Sequence, residues 1–148
     1  MDKKQLSEAD IRSKFIDPAI LQAGWSETHQ IYREYAITNG RIVVRGQKAQ
    51  RNMQTALRAD YLLCHQFGQP LAVIEAKDNR HTVGAGIQQA TEYAERMGVP
   101  FAFASNGDGF VFRDATLADG QLIREISLDE FPSPQDLWER YCAWKQWT

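Results

Sequence analysis

The chain has 148 residues, the size of one domain with a proper hydrophobic core. With 43% hydrophobic and 24% charged residues it has the composition of a globular fold, and neither a membrane span nor a signal peptide is present in the sequence. The net charge of −2 is not typical of an autonomous DNA-binding protein.

A helix is predicted at the N-terminal end. Ser7 is a capping residue, and Asp10 three positions later completes a capping-box pattern. The apolar stripe that follows consists of Ile11, Phe15 and then Ile20 or Leu21. Asp17 and Pro18 interrupt it, so either Pro18 kinks one helix or a second short helix starts there. Gly24 is a suitable end.

The next elements are a strand over His29–Thr38, a tight turn at Asn39-Gly40, a partner strand over Arg41–Arg45 and a loop over Gly46–Leu57. This part of the chain is basic and contains no acidic residue between Arg41 and Ala59. Its five cations are Arg41, Arg45, Lys48, Arg51 and Arg58. Two interpretations remain open, a contact with the DNA backbone and a solvated basic loop.

A β-hairpin is predicted from two apolar runs, Tyr61–Cys64 and Leu71–Ile74, which flank a turn. Ionisable residues lie at the strand ends. Asp60 opens the first strand, while Glu75 and Lys77 close the second and share one face, because strand residues two apart face the same side. An antiparallel hairpin brings these two ends together.

This arrangement can be a cation site. Two carboxylates, Asp60 and Glu75, offer the oxygen ligands that Mg²⁺ prefers. A lysine beside them can orient or deprotonate a water molecule, or stabilise charge that develops on a phosphate. The alternative is a surface ion pair between neighbouring strands.

The remaining elements complete an alternation of helices and strands. A helix is predicted over Asn79–Gly98, with Gln89 and Tyr93 on its flank rather than at its buried centre. Strands follow at Phe101–Ser105, Phe110–Arg113 and Leu122–Ile126. A last helix starts at Ser133-Pro134. Its aromatic residues either belong to the hydrophobic core or form a face that is left exposed because the chain continues. The sequence therefore predicts an α/β domain with a mixed central sheet flanked by helices.

Four motifs in this order resemble a known family. Asp60 followed by Glu75-Ala76-Lys77 is similar to the core of the PD-(D/E)xK nucleases, with Ala59 where the name has proline. Gln89 and Tyr93 match a Gln-x-x-x-Tyr motif. The stretches Leu6–Arg12 and Ala23–Trp25 resemble the opening of one branch, the N-terminal nuclease domain of the R subunit of Type I restriction–modification enzymes.

The resemblance implies roles for individual residues. Asp60 and Glu75 would bind Mg²⁺, Lys77 would act on the attacking water, and Gln89 and Tyr93 would orient the lysine or contact phosphate. Glu8 would help to hold metal-bound water; from spacing alone it can equally form a helix ion pair with Arg12, four residues on. Gln89 and Tyr93 can likewise be an exposed polar flank.

The resemblance also implies a context. Residues 1–148 would be the nuclease domain of a longer subunit that continues into a motor. No Gly-x-x-x-x-Gly-Lys-Ser/Thr motif occurs, so ATP would act only through domains absent from this chain. The expected partners are double-stranded DNA and the modification and specificity subunits. Two cysteines, one in an apolar run, and no membrane segment predict a cytoplasmic protein.

Two other functions are compatible with the same sequence features. One is a PD-(D/E)xK nuclease of the repair or junction-resolving type. The other is a non-catalytic domain of the same fold that docks partner subunits through its aromatic C-terminal helix, although the presence of all three charged residues, Asp60, Glu75 and Lys77, argues against it.

Overall fold

The computed structural model describes residues 2–37, 57–66, 68–117 and 122–146. Within these ranges a six-stranded sheet has its strands in chain order. The strands are β1 (Ile31–Ile37), β2 (Leu57–Cys64), β3 (Pro70–Ala76), β4 (Phe101–Ser105), β5 (Phe110–Asp114) and β6 (Leu122–Ile126). The predicted turn at Asn39-Gly40 and strand Arg41–Arg45 lie outside the described residues.

Neighbouring strands are antiparallel except for β3 and β4, which are parallel. A parallel pair needs a crossover, because the chain must return to the same end of the sheet. Here the crossover contains the helix α3 (Ile87–Met97). The sheet is therefore mixed, and the predicted α/β fold class is confirmed.

The N-terminal helical segment consists of α1 (Glu8–Ile11), a π-helical turn (Arg12–Ile16) and α2 (Asp17–Gln22). The predicted capping box at Ser7 and Asp10 is present. Of the two interpretations of Pro18, the first is nearer to the structure, because Ile16 and Asp17 both have right-handed helical backbone angles and no side chain caps a new helix there. The change of helix type lies directly before the proline, where the Asp17 N–H donates to the carbonyl of Arg12 five residues back.

The sheet separates two hydrophobic clusters. One face packs against the N-terminal helices and α4 (Pro134–Lys145), which contribute the buried side chains Ile11, Ile16, Ile20, Leu137 and Tyr141. The other face, which includes Leu62 and Val73, packs against Ala90, Tyr93 and Ala94 of α3. The domain therefore has helices on both faces of one sheet, an arrangement that buries each apolar face.

Two predicted boundaries were wrong by three residues or more. Strand β2 begins at Leu57 rather than near Asp60, because its ladder with β1 continues to the pair Ile37 and Leu57. Helix α3 begins at Ile87 rather than at Asn79. The preceding residues form turns, in which the buried Asn79 amide donates to the carbonyl of Asn106 at 2.8 Å.

The last helix starts as predicted, with the Ser133 hydroxyl accepting from the Asp136 N–H. Its aromatic residues fit both interpretations. Tyr141 is buried, whereas Trp144 is 41% exposed. Of the helices in the described ranges, none is long and apolar enough to span a membrane.

Candidate active site

The two predicted carboxylates meet where β2 and β3 separate. The regular ladder ends at the pair Tyr61 and Ile74. Beyond it, the Asp60 N–H donates to Glu75 Oε2 at 2.7 Å, and the Ala76 N–H donates to Asp60 Oδ2 at 2.7 Å. Each carboxylate therefore accepts a hydrogen bond from the main chain of the opposite strand, which fixes both side chains at the end of the hairpin.

Burial dominates the electrostatics of this pair. Glu75 is 4% exposed, and its burial raises its pKa to about 8, while the Asp60 N–H opposes the shift. Burial also raises the pKa of Asp60, against the hydrogen bond from Ala76 and the charge of Arg12. Both carboxylates are thus held where their charged forms lack sufficient compensation, and a cation would supply it.

Lys77 follows β3 directly, and its N–H donates to the carbonyl of Ser105 at 2.9 Å. Its ammonium is near enough to act against the raised pKa values of Glu8, Asp60 and Glu75. In the described ranges, no carboxylate lies within 4.0 Å of that ammonium. Lys77 therefore influences the two strand carboxylates through its charge, without a direct ion pair to either.

The N-terminal helical segment brings two more charged groups to the same place. Glu8 is close enough to Asp60 for that charge to raise its pKa, in addition to the larger effect of burial. Helical spacing allowed an ion pair between Arg12 and Glu8. Among the described residues, these two side chains form no ion pair within 4.0 Å. The Nη1 of Arg12 lies 4.0 Å from Asp60 Oδ1 instead.

Gln89 and Tyr93 lie on the first turns of α3. The Gln89 side-chain amide donates to the Tyr93 hydroxyl at 2.7 Å. Burial raises the pKa of Tyr93 against the hydrogen bond from Gln89, and the charges of Glu75 and Asp60 add to the effect of burial. The predicted flank position was wrong for Tyr93, which is 4% exposed, because the sheet covers that side of the helix. Gln89 is exposed.

Sequence reasoning missed one acidic neighbour of the site. In the register between β1 and β2, Arg33 opposes Tyr61 and Tyr35 opposes Ala59, so Glu34 lies beside Asp60. Glu34 has φ 50, the left-handed region that residues other than glycine seldom adopt. Its charge raises the pKa of Asp60 further. The strained backbone has no signal in the sequence.

Of the five basic residues proposed for DNA contact, the structure describes Arg58. It is exposed on β2, and its guanidinium lies 3.5 Å from the carbonyl oxygen of Glu34. The other four, Arg41, Arg45, Lys48 and Arg51, lie outside the described residues.

The residues fit an open coordination site for a divalent cation, in which water molecules supply the remaining ligands. Within the described ranges, no cluster of three or more acidic, histidine or cysteine side chains forms a closed cage. Mg²⁺ does not require one, since it commonly keeps several waters and binds through one or two carboxylates. Asp60 and Glu75 each use one oxygen for a main-chain hydrogen bond, which leaves a second oxygen on each for a cation.

Comparison with known proteins gives consistent matches. The family described as Type I restriction enzyme R protein N terminus matches residues 47–121. The chain is 51% identical over 149 residues to the endonuclease subunit of the Type I restriction enzyme EcoAI from Escherichia coli, covering 100% of this chain and 18% of that subunit. A solved fragment assigned to the HsdR subunit of a Type I restriction enzyme from Vibrio vulnificus YJ016 superposes with a TM-score of 0.74. It is 34% identical and is matched over 95% of this chain and 26% of its own length.

Proposed function

The chain belongs to the family of N-terminal domains of Type I restriction enzyme R proteins, and from this premise we propose that it is a divalent-metal-dependent DNA endonuclease domain. The chain spans 18% of the EcoAI subunit and 26% of the Vibrio chain, so the activity of a whole restriction enzyme is part of the proposal. The domain would act within a larger ATP-dependent complex with modification and specificity subunits, on double-stranded DNA.

The observation that carries the proposal is the end of the β2–β3 hairpin. Asp60 and Glu75 are fixed by reciprocal main-chain hydrogen bonds of 2.7 Å, and Lys77 follows on the same strand. These two carboxylates would hold Mg²⁺. When bound, the ion polarises a phosphoryl oxygen and lowers the pKa of a coordinated water.

The other residues of the site have separate roles in this proposal. Lys77 positions or deprotonates the attacking water and stabilises the charge that builds on the phosphate. Tyr93, held by Gln89, orients Lys77 or contacts a phosphate oxygen. Glu8 orients water from the N-terminal helical segment.

In this proposal the basic stretch binds the DNA backbone, while the carboxylates hold the metal ion. Its residues are Arg41, Arg45, Lys48, Arg51 and Arg58. Side chains of this type bind the phosphate backbone and position DNA without reading its sequence. Recognition of a specific sequence would then be the task of another subunit.

Replacement of Lys77 by alanine, in the R subunit assembled with its partners, tests the nuclease assignment. DNA cleavage should be lost, while ATP hydrolysis and DNA binding persist, because the ammonium acts mainly in the transition state. The matched control is Lys14→Ala, which removes an exposed lysine from the N-terminal helical segment. Cleavage by the Lys77→Ala enzyme at the wild-type rate would show that the assignment is wrong.

A further inference from the structure

A group without an assigned role faces the site from the N-terminal helical segment. Arg12 Nη1 lies 4.0 Å from Asp60 Oδ1, and both side chains are 22% exposed. Since Asp60 Oδ2 accepts the Ala76 N–H, Oδ1 is the oxygen of Asp60 that remains for a cation. The guanidinium therefore lies beside the oxygen that a divalent ion would use.

The local geometry holds Arg12 in this place. It is the first residue of the π-helical turn Arg12–Ile16, and its carbonyl accepts the N–H of Asp17 five residues later. Turns of this kind are frequent at functional sites. Ile11 and Ile16 on either side are fully buried, so the backbone that carries Arg12 is anchored in the core.

The balance of charge at the site gives the arginine a function. The carboxylates of Glu8, Asp60 and Glu75 influence one another, and the charge of Glu34 adds to those acting on Asp60. Arg12 opposes the raised pKa values of Glu8 and Asp60, and Lys77 opposes those of all three. On these observations we propose that Arg12 is a positioning residue that neutralises Asp60 and competes with a divalent cation for its free oxygen. The inference rests on the proposed function, because it concerns the cation that this function requires.

The proposal predicts that replacement of Arg12 strengthens the binding of a divalent cation. A residue that only supports the local structure weakens cation binding when it is replaced. Removing a competing positive charge does the opposite, and strengthens it. A unit charge about 4 to 6 Å from a divalent ion changes its binding constant by on the order of ten- to thirtyfold even in a water-like dielectric.

Calorimetric titration of the 148-residue chain with Mn²⁺ tests the inference. Two neutral variants, Arg12→Gln and Arg12→Met, should bind Mn²⁺ on the order of tenfold more tightly than wild type. Arg12→Lys keeps the charge and should stay within about twofold, since the Coulomb term is nearly unchanged. Lys14→Gln removes an exposed charge from the same turn and should leave the affinity unchanged.

The outcomes separate this inference from the proposed function. Unchanged or weaker binding in either neutral variant, with thermal unfolding like that of wild type, overturns the role of Arg12. If one neutral variant does not fold, the other decides, because methionine keeps the apolar stem and glutamine keeps the polarity. Glu75→Ala serves as the second arm. Mn²⁺ binding that does not depend on Glu75 removes the cation site itself, whereas binding that depends on Glu75 but not on Arg12 leaves the nuclease proposal intact.

Discussion

Replacing Glu75 by glutamine should abolish nuclease activity and at the same time stabilise the fold at neutral pH. The folded-state pKa of Glu75 is about 8, against 4.5 for an unperturbed carboxyl. Between these two values the unfolded chain has lost the proton and the folded chain keeps it. The free energy of unfolding therefore falls as pH rises through this window, by about 1.4 kcal/mol per unit for this one group. Glutamine does not titrate, so in the variant this group causes no fall in the free energy of unfolding as the pH rises.

The magnitude follows from the window. From pH 4.5 to pH 7 the stability of Glu75→Gln should rise relative to wild type by at most about 3 kcal/mol. Urea unfolding at pH 5, 6, 7 and 8, in the presence of a chelator, measures the difference. Glu95→Gln changes an exposed glutamate on α3 and serves as the control with no such trend. Wild-type and Glu75→Gln stabilities that stay parallel from pH 5 to pH 8 would refute a buried, protonated Glu75.

Two further predictions concern the surroundings of the site. A Cβ on Gly86 would lie 3.2 Å from the Cβ of Glu75, so Gly86→Ala should displace that side chain and lower the cleavage rate by about tenfold or more. Gly84→Ala meets Val111 at 3.1 Å and is the equally crowded control; a similar loss of cleavage in both variants would contradict the explanation. Arg58→Ala should flatten the slope of log K for DNA against log salt by about 0.9 if one phosphate contact is lost, whereas Arg58→Lys should keep it. An unchanged slope removes Arg58 from the DNA contact.

The elements that sequence reasoning predicted well are those with local signals. Strands β4 and β6 begin and end at the predicted residues, because apolar runs are bounded there by glycine-rich turns or polar residues. Ser7 and Ser133 start their helices as capping residues do. The proximity of Asp60 and Glu75 was also predictable, since a hairpin fixes which strand ends meet.

The features that were missed depend on contacts between distant segments. The Asn79 side-chain amide, which donates to the backbone carbonyl of Asn106, holds the turns before α3. The residues of these turns continue the apolar periodicity of the helix, so the sequence pattern alone predicts a helix there. Helical spacing allowed an ion pair between Arg12 and Glu8, but tertiary packing places Arg12 beside Asp60. Tyr93 is buried because the sheet covers it, which helical spacing alone does not reveal.

The reciprocal hydrogen bonds at the hairpin end make the site visible to backbone spectroscopy. The amide protons of Asp60 and Ala76 are each donated to a carboxylate oxygen of the opposite strand. Any change in the charge of Asp60 or Glu75 alters the strength of these two bonds, because charged acceptors form the stronger ones. Amide chemical shifts and hydrogen-exchange rates at these two positions therefore report protonation or ion binding directly. Two backbone signals can follow the chemistry of the site without a label on any side chain.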